Sequence, residues 1–194
     1  MNVKYETERL LLAIGNETMA DEVRNYLVKN REDFARWDRR LNDGYFTPEY
    51  IRKSLQAEQR LFMRSEAARF YIFLKTDTSR IIGNVSFTSL NIDNNGCGVL
   101  GYKLDCDNRK MGYAYEAVSC LIPKVFDEYR LLRLHADILP ENRSSISLIT
   151  KLGFKYLCIS RNAHEINGRV RDHLRYILNR DTPEFEALRS SQSF

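Results

Sequence analysis

Arg109-Lys110-Met111-Gly112-Tyr113-Ala114 joins a strand-like segment, Gly98 to Leu104, to an amphipathic one running from Ala114 to Phe126. In the latter, Ala114, Ala117, Val118, Leu121, Ile122 and Val125 recur at i, i+3, i+4, i+7, i+8 and i+11, one face of an α-helix. Where a strand gives way to a helix, the first-turn N–H groups lack intrahelical partners, and the helix dipole adds partial positive charge there. These six residues therefore read as a cradle for an anion. Gly112 lets the backbone approach phosphate oxygens, Ala114 keeps the next turn small, and Arg109 and Lys110 add charge at the entrance. The expected ligand carries a pyrophosphate.

Working outward, Pro123 interrupts the helical pattern, and because proline lacks an N–H and crowds the carbonyl four residues back, a kink is expected near Ser119. Leu132 to Ile138 alternates apolar and polar residues as a half-buried strand, and Pro140-Glu141-Asn142 turns it into a helix carrying Ile146, Ile149 and Leu152, stopped by Gly153. Phe154 to Ile159 and Arg171 to Leu178 read as two final strands joined by a polar loop with Asn167-Gly168 at its tip. Upstream, Glu8 to Ile14 is a buried strand, Met19 to Trp37 suits two short helices, and Pro48 opens another helix with Thr47 as its N-cap and Ile51, Leu55 and Leu61 inward. Phe70 to Leu74 and Ile81 to Phe87 form a hairpin, and Asn91 to Gly96 is a turn. The last fourteen residues, rich in serine and charge, are expected to fray.

A chain of 194 residues that is 43% hydrophobic forms one domain, residues 1–194, with a core of its own. No run of eighteen apolar residues and no cleavable apolar leader is visible, so a cytoplasmic protein with no membrane contact is expected. Cys97, Cys106, Cys120 and Cys158 show no Cys-x-x-Cys spacing and read as buried free thiols, with no metal site. The net charge of +4 is too mild and too dispersed to argue direct nucleic-acid binding. Arg36-Trp37-Asp38-Arg39-Arg40 reads as solvated surface.

The Arg-x-x-Gly-x-Ala turn, the order of strands and helices, Pro140 to Ser145, and Lys151-Leu152-Gly153-Phe154 together resemble the GCN5-related N-acetyltransferase (GNAT) superfamily, over about residues 7 to 180. Thr7 to Leu12, Asn30 to Trp37, Leu100-Gly101-Tyr102 and Asn167 to His173 are similar to its RimJ/RimL branch, whose members acetylate the N-terminal amine of ribosomal proteins. The resemblance implies an α/β (α+β) fold: a central mixed, mostly antiparallel sheet of six to seven strands, with strands four and five splayed and helices on its flanks. It also implies acetyl-CoA as co-substrate. The pyrophosphate would lie on Arg109, Lys110, Met111, Gly112, Tyr113 and Ala114, and the pantetheine arm along Lys103, Leu104 and Asp105. A backbone N–H near Leu104 would polarise the thioester carbonyl, and Asn142 would hydrogen-bond the arm, although an asparagine there also caps a helix.

Many relatives protonate the departing thiolate with a tyrosine seven residues after that asparagine; this chain has Ile149, so Ser145 takes the position of general acid that the branch implies. The glutamate often found before the Leu-Gly-Tyr stretch is replaced by Val99, leaving Glu165 and His164, expected in the loop after strand six, as base candidates. His173 beside Asp172 reads as structural. A weak base suits an α-amine near pKa 7.8 better than a lysine near 10.4, whose neutralisation at pH 7 costs about 4.6 kcal/mol. The expected acceptor is a protein N-terminus. A small amine such as a polyamine or aminoglycoside is the alternative, recognised by acidic residues such as Glu32, Asp33, Asp38 and Asp43; a catalytically silent CoA-binding sensor is a third reading. A monomer or homodimer fits all three.

Overall fold

The structure, a computed structural model, describes residues 1–90 and 95–191; of the turn expected over Asn91 to Gly96, the first four residues lie outside the described residues. In chain order the elements are β1 (Lys4–Glu6), β2 (Leu10–Ile14), α1 (Ala20–Lys29), α2 (Arg31–Phe34), α3 (Pro48–Met63), β3 (Ala68–Leu74), β4 (Asp77–Thr88) and β5 (Cys97–Leu104), then α4 (Tyr113–Glu128), β6 (Arg133–Ile138), α5 (Arg143–Lys151), β7 (Lys155–Ile166), β8 (Arg169–Asn179) and α6 (Pro183–Ser190). The strands make one sheet in the order β1-β2-β3-β4-β5-β6-β8-β7. Every neighbouring pair is antiparallel except β5 with β6. The mixed, helix-flanked sheet is the expected one, with β1 as an additional short edge strand.

Alternation along the strands sends side chains to two cores. On one face, Leu134, Ala136 and Ile138 of β6, Val85 and Phe87 of β4 and Leu100 of β5 pack with Ala117, Val118, Leu121, Ile122, Val125 and Phe126 of α4. On the other, Tyr71, Phe73 and Ile81 pack with Ala20, Val23 and Tyr26 of α1 and with Ile51 and Leu55 of α3. Burial of this kind stabilises each large apolar side chain by about 1.5–3 kcal/mol and fixes which helix lies on which face. Leu61, expected inward, is 38% exposed near the end of α3.

Local signals set the helix boundaries. Thr47 caps α3 by accepting from the Tyr50 N–H at 3.3 Å, with Pro48 in the first turn. Gly153, at φ +90°, ends the α5 segment, and a Cβ there would come within 2.5 Å of Glu184. α4 runs from Tyr113 to Glu128 with Pro123 inside it, and every residue from Ala117 to Pro123 is buried, so tertiary packing carries the helix past its missing N–H.

Two expectations for the C-terminal third are corrected. The C-terminal tail does not fray after residue 180: Thr182 caps α6, and Phe185, fully buried, packs its ring 4.5 Å from that of Phe126. Two apolar residues at i and i+3 in a charged octapeptide give little sequence signal, yet both Phe185 and Leu188 reach the core. The polar loop expected between the last two strands is itself strand. β7 and β8 pair through to Ile166 and Arg169, leaving only Asn167 (φ +51°) and Gly168 (φ +75°) in the turn. Most side chains of this hairpin meet solvent, so it lacks the apolar alternation that marks a half-buried strand.

Candidate active site

β5 and β6, the fourth and fifth strands of the sequence reading, run together only over Cys97–Val99 and Arg133–His135. Beyond this, β5 continues beside β4 while β6 continues beside β8, so the two strands part. The Asp105 N–H donates to Ile82 O at 2.8 Å, which fixes the ladder. By antiparallel alternation, Lys103 and Gly101 bond to β4, while the N–H and C=O groups of Tyr102 and Leu104 point to the opposite, open edge. A ligand entering the gap meets unpaired backbone there.

The Asp105 side chain closes the end of this strand. It is 2% exposed and accepts from Asn30 Nδ2 (2.9 Å), Lys29 Nζ (2.9 Å) and Asn108 Nδ2 (3.1 Å). Burial opposes its ionisation, but these donors outweigh it and hold the carboxyl below the usual range. Asp105 is therefore a structural anchor between α1 and the strand end.

The turn expected to hold an anion follows at once. Lys110 is in the left-handed region (φ +61°), and Gly112 (φ +84°) stands at the N-cap of α4. Both Lys110 and Gly112 are exposed and Tyr113 and Ala114 are half-buried, so the first-turn amides face accessible space. Arg109 differs from expectation, because its guanidinium is held bidentately by Asp33 of α2. The charge of the Arg109 side chain is thus spent on Asp33 rather than left at the entrance of the turn. Arg9, which the sequence did not single out for this site, braces the turn: Nη1 donates to Met111 O at 3.0 Å, and Nε to Glu116 Oε2 at 2.7 Å. Glu116 also accepts from Thr7 Oγ1 (2.6 Å) and the Arg9 N–H (2.8 Å), so the Thr7-Glu8-Arg9 stretch clamps the start of α4.

Across the gap, Asn142 caps α5, its Oδ1 accepting from the Ser145 N–H at 3.2 Å and from Ser144 Oγ at 3.0 Å. Tyr102 reaches from the open strand to the same helix, donating its hydroxyl to Ser145 O at 3.2 Å, and burial pushes its pKa up to about 12. Ser145 and Tyr102 thus meet at the mouth of the gap, a contact that forty-three residues of separation hide from the sequence.

The opposite face of the same strands carries different chemistry. Lys103 pairs with Asp38 and lies 5.4 Å over the Phe34 ring. On β6, His135 and Asp137 alternate with the core residues and therefore share this face. Arg175 of β8 forks onto Asp137 at 2.8 and 2.7 Å, and His164 Nε2 lies 3.6 Å from the same carboxylate. The His164 and His173 rings meet edge to face at 4.9 Å. Burial lowers the pKa values of His135 and His173, and Arg175 adds to the effect on His135. Burial opposes ionisation of Asp137, but Arg175 outweighs it and holds the carboxyl low.

The two base candidates are separated by this geometry. Because they are neighbours on a strand rather than in a loop, His164 turns to Asp137 while Glu165 turns to a groove of about 560 Å³ lined by Glu32, Arg36, Arg39, Arg40 and Gly168. Asn167 Nδ2 donates to Ala35 O at 2.8 Å and fastens the hairpin tip beside that groove. The acidic residues proposed to draw in a cationic amine are all engaged: Asp33 by Arg109, Asp38 by Lys103, Asp43 by Arg31 and Glu32 by Arg40. Of the four cysteines, Cys120 is buried, whereas Cys106 and Cys158 are exposed and Cys97 is intermediate.

Strands that part beside the N-terminus of a helix can admit a ligand that carries an anionic group. The chain matches the acetyltransferase (GNAT) domain family over residues 9–155 and belongs to it. It is an N-acetyltransferase with acetyl-CoA as donor. It is 32% identical over 165 residues to the probable N-acetyltransferase YjcK of Bacillus subtilis (strain 168), covering 84% of this chain and 91% of that protein. It is 24% identical over 172 residues to the [ribosomal protein uS5]-alanine N-acetyltransferase of Escherichia coli (strain K12), covering 89% and 88%. Among solved structures, the ribosomal-protein-S5-alanine acetyltransferase from Vibrio fischeri superposes with a TM-score of 0.87 at 27% identity, covering 93% of this chain and 98% of that one. Among the described residues no helix is long and apolar enough to cross a membrane.

Proposed function

We propose that this enzyme acetylates the N-terminal α-amine of a protein, a ribosomal protein being the substrate class that its relatives' names favour. The observation that carries the reading is the open edge at Tyr102 and Leu104 beside the cradle of Arg109 to Ala114. In this reading the cradle amides hold the pyrophosphate, with Lys110 exposed beside them, and the pantetheine arm lies along Lys103 to Asp105. The Leu104 N–H polarises the thioester carbonyl and holds charge as the tetrahedral intermediate forms. Asn142 spends Oδ1 on its cap, so Nδ2 is the group that binds the arm.

The amine nitrogen attacks the carbonyl carbon, the C–N bond forms, and the C–S bond breaks. The thiolate takes its proton from Ser145, directly or through water. Ser145 is free for this role because the helix cap is Asn142. The ammonium proton leaves on the opposite face, where His164 is the better placed of the two sequence candidates: it faces Asp137, and Glu165 faces an arginine-lined groove. A weak base suits an α-amine better than a lysine.

The small-amine alternative loses its support from the same geometry. A polyamine needs uncompensated carboxylates, and Glu32, Asp33, Asp38 and Asp43 each face a cation of the chain. Thiol release from acetyl-CoA, compared across peptides beginning with serine or alanine, polyamines and aminoglycosides, tests the assignment. Release with the peptides is expected; release with the small amines alone overturns it.

A further inference from the structure

The tract Arg36-Trp37-Asp38-Arg39-Arg40, solvated surface in the sequence reading, forms one wall of a groove in the fold. The groove, of about 560 Å³, runs between this tract and the tip of the β7–β8 hairpin, which supplies Glu165, Asn167 and Gly168 to the far wall. Three contacts fix it beside the open strand. Asp38 holds Lys103, Asp33 holds Arg109, and the Ala35 carbonyl accepts from Asn167 Nδ2 at 2.8 Å. Arg109 Nη2 also reaches Leu104 O at 3.4 Å, so Asp33 and Arg109 bridge α2 to the strand residue at which the thioester is held. Arg36 stands one turn beyond Asp33, its N–H donating to Asp33 O at 3.3 Å. From the Leu104 backbone to the base of the Arg36 side chain is then on the order of 10–12 Å, three to four residues of extended chain.

The charges of the arginine wall are unevenly answered. Arg40 pairs with Glu32 at 3.4 Å, whereas Arg39 donates to the neutral Tyr45 hydroxyl at 3.1 Å and lies over its ring, and among the described residues the Arg36 guanidinium has no hydrogen-bond or ion-pair partner. Two exposed guanidiniums without a carboxylate of their own therefore line the groove, against Glu165 on the opposite wall. We propose that this groove receives an acidic stretch of the acceptor polypeptide, with Arg36 and Arg39 pairing with carboxylates at about the third to fifth residues behind the reacting amine. This rests on the N-terminal acceptor proposed above and names its sequence class. Arginine suits the task, because its forked donors take a carboxylate two bonds at a time, and neither guanidinium has to give up an internal ion pair first. Glu165 repels an acid from the far wall and so keeps the acceptor's carboxylates on the arginine side. Because the hairpin tip is fastened to Ala35, the two walls are held together before any acceptor arrives.

The test compares acetylation of three peptides of equal length that begin with serine and carry glutamate, glutamine or lysine at residues three to five, by wild type, Arg36→Gln, Arg39→Gln and the double variant. Wild-type kcat/KM should be highest for the glutamate peptide, by about tenfold over glutamine for two exposed pairs together. The difference should lie in the peptide KM and shrink as salt is added. The double variant should bring the ratio to within about twofold of one, with KM for acetyl-CoA as in wild type. Arg36→Glu should shift the preference towards the lysine peptide, a gain that a damaged fold does not give. Equal kcat/KM for the glutamate and glutamine peptides, or a preference that survives in the double variant, overturns the role of the groove and leaves the N-terminal reading intact. Turnover of small amines and of none of the peptides overturns that reading and the groove with it. An RNA oligonucleotide that binds wild type and not the double variant, with the three peptides acetylated alike, assigns the arginines to nucleic acid and overturns the proposal.

Discussion

Arg9 and Glu116, 107 residues apart, are joined by a guanidinium–carboxylate contact of 2.7 Å, while the other arm of Arg9 holds the Met111 carbonyl. One side chain therefore ties the entry of β2 to both the cradle and the first turn of α4. Replacing Arg9 with methionine keeps its aliphatic reach and removes these bonds. The expected result is acetyl-CoA binding weakened several-fold by calorimetry, with little change in kcat at saturating donor.

Gly112→Ala tests the cradle itself. At φ +84° a Cβ is strained by about 1 kcal/mol, and it would also come within 3.2 Å of Arg9 Nη2. Stability should fall by about that amount in urea denaturation. Acetyl-CoA affinity should fall by about tenfold or more, since the added carbon strains the turn and crowds the Arg9 guanidinium that braces it.

Ser145→Ala separates chemistry from capping. Asn142 is the cap of α5, so loss of the Ser145 hydroxyl should leave thermal stability nearly unchanged, whereas loss of a cap costs about 1 kcal/mol. A general acid contributes about 10²–10⁴-fold; kcat should fall within that range with KM for acetyl-CoA retained. The same substitution at Asn142 should lower stability and donor affinity together.

Arg175→Met should leave Asp137, whose side chain is 6% exposed, without its main partner. In the wild type the folded-state pKa of Asp137 is lowered. Its contribution is therefore present above the unfolded carboxylate value near 3.9 and lost as pH falls through the lower folded value. The variant should be less stable by about 2 kcal/mol at pH 7, a figure reduced for the one-third exposure of Arg175. Chemical denaturation should find the difference shrinking as the pH falls below about 4.

Much of the site was legible because its signals are local. The strand, the six-residue cradle and the helical repeat after it are contiguous, and Thr47, Asn142 and Gly153 act on their own helices. What stayed hidden depends on long-range pairing. Arg9 meets Glu116, Tyr102 meets Ser145, and three histidines converge only after β6, β8 and β7 align. Strand alternation also sends His164 and Glu165 to different surroundings, a difference that a loop reading does not show. Arg109 shows the limit of charge reading: its guanidinium answers Asp33 before any phosphate arrives. The helix at Pro183–Ser190 was missed because two apolar side chains suffice when one is a fully buried phenylalanine.

Phe185→Ala measures that last contact. Deleting a buried phenylalanine packed on Phe126 should cost about 3–5 kcal/mol and lower the melting temperature markedly, although α6 lies far along the chain from the cradle.

The most direct measurement offers the enzyme acetyl-CoA and a peptide that begins with serine or alanine and carries one internal lysine, then locates the acetyl group by tandem mass spectrometry. Acetylation of the α-nitrogen, with the lysine unmodified and thiol released in equal amount, is the predicted result. Acetyl found only on the lysine, or thiol release that occurs with polyamines and never with the peptide, would contradict the account.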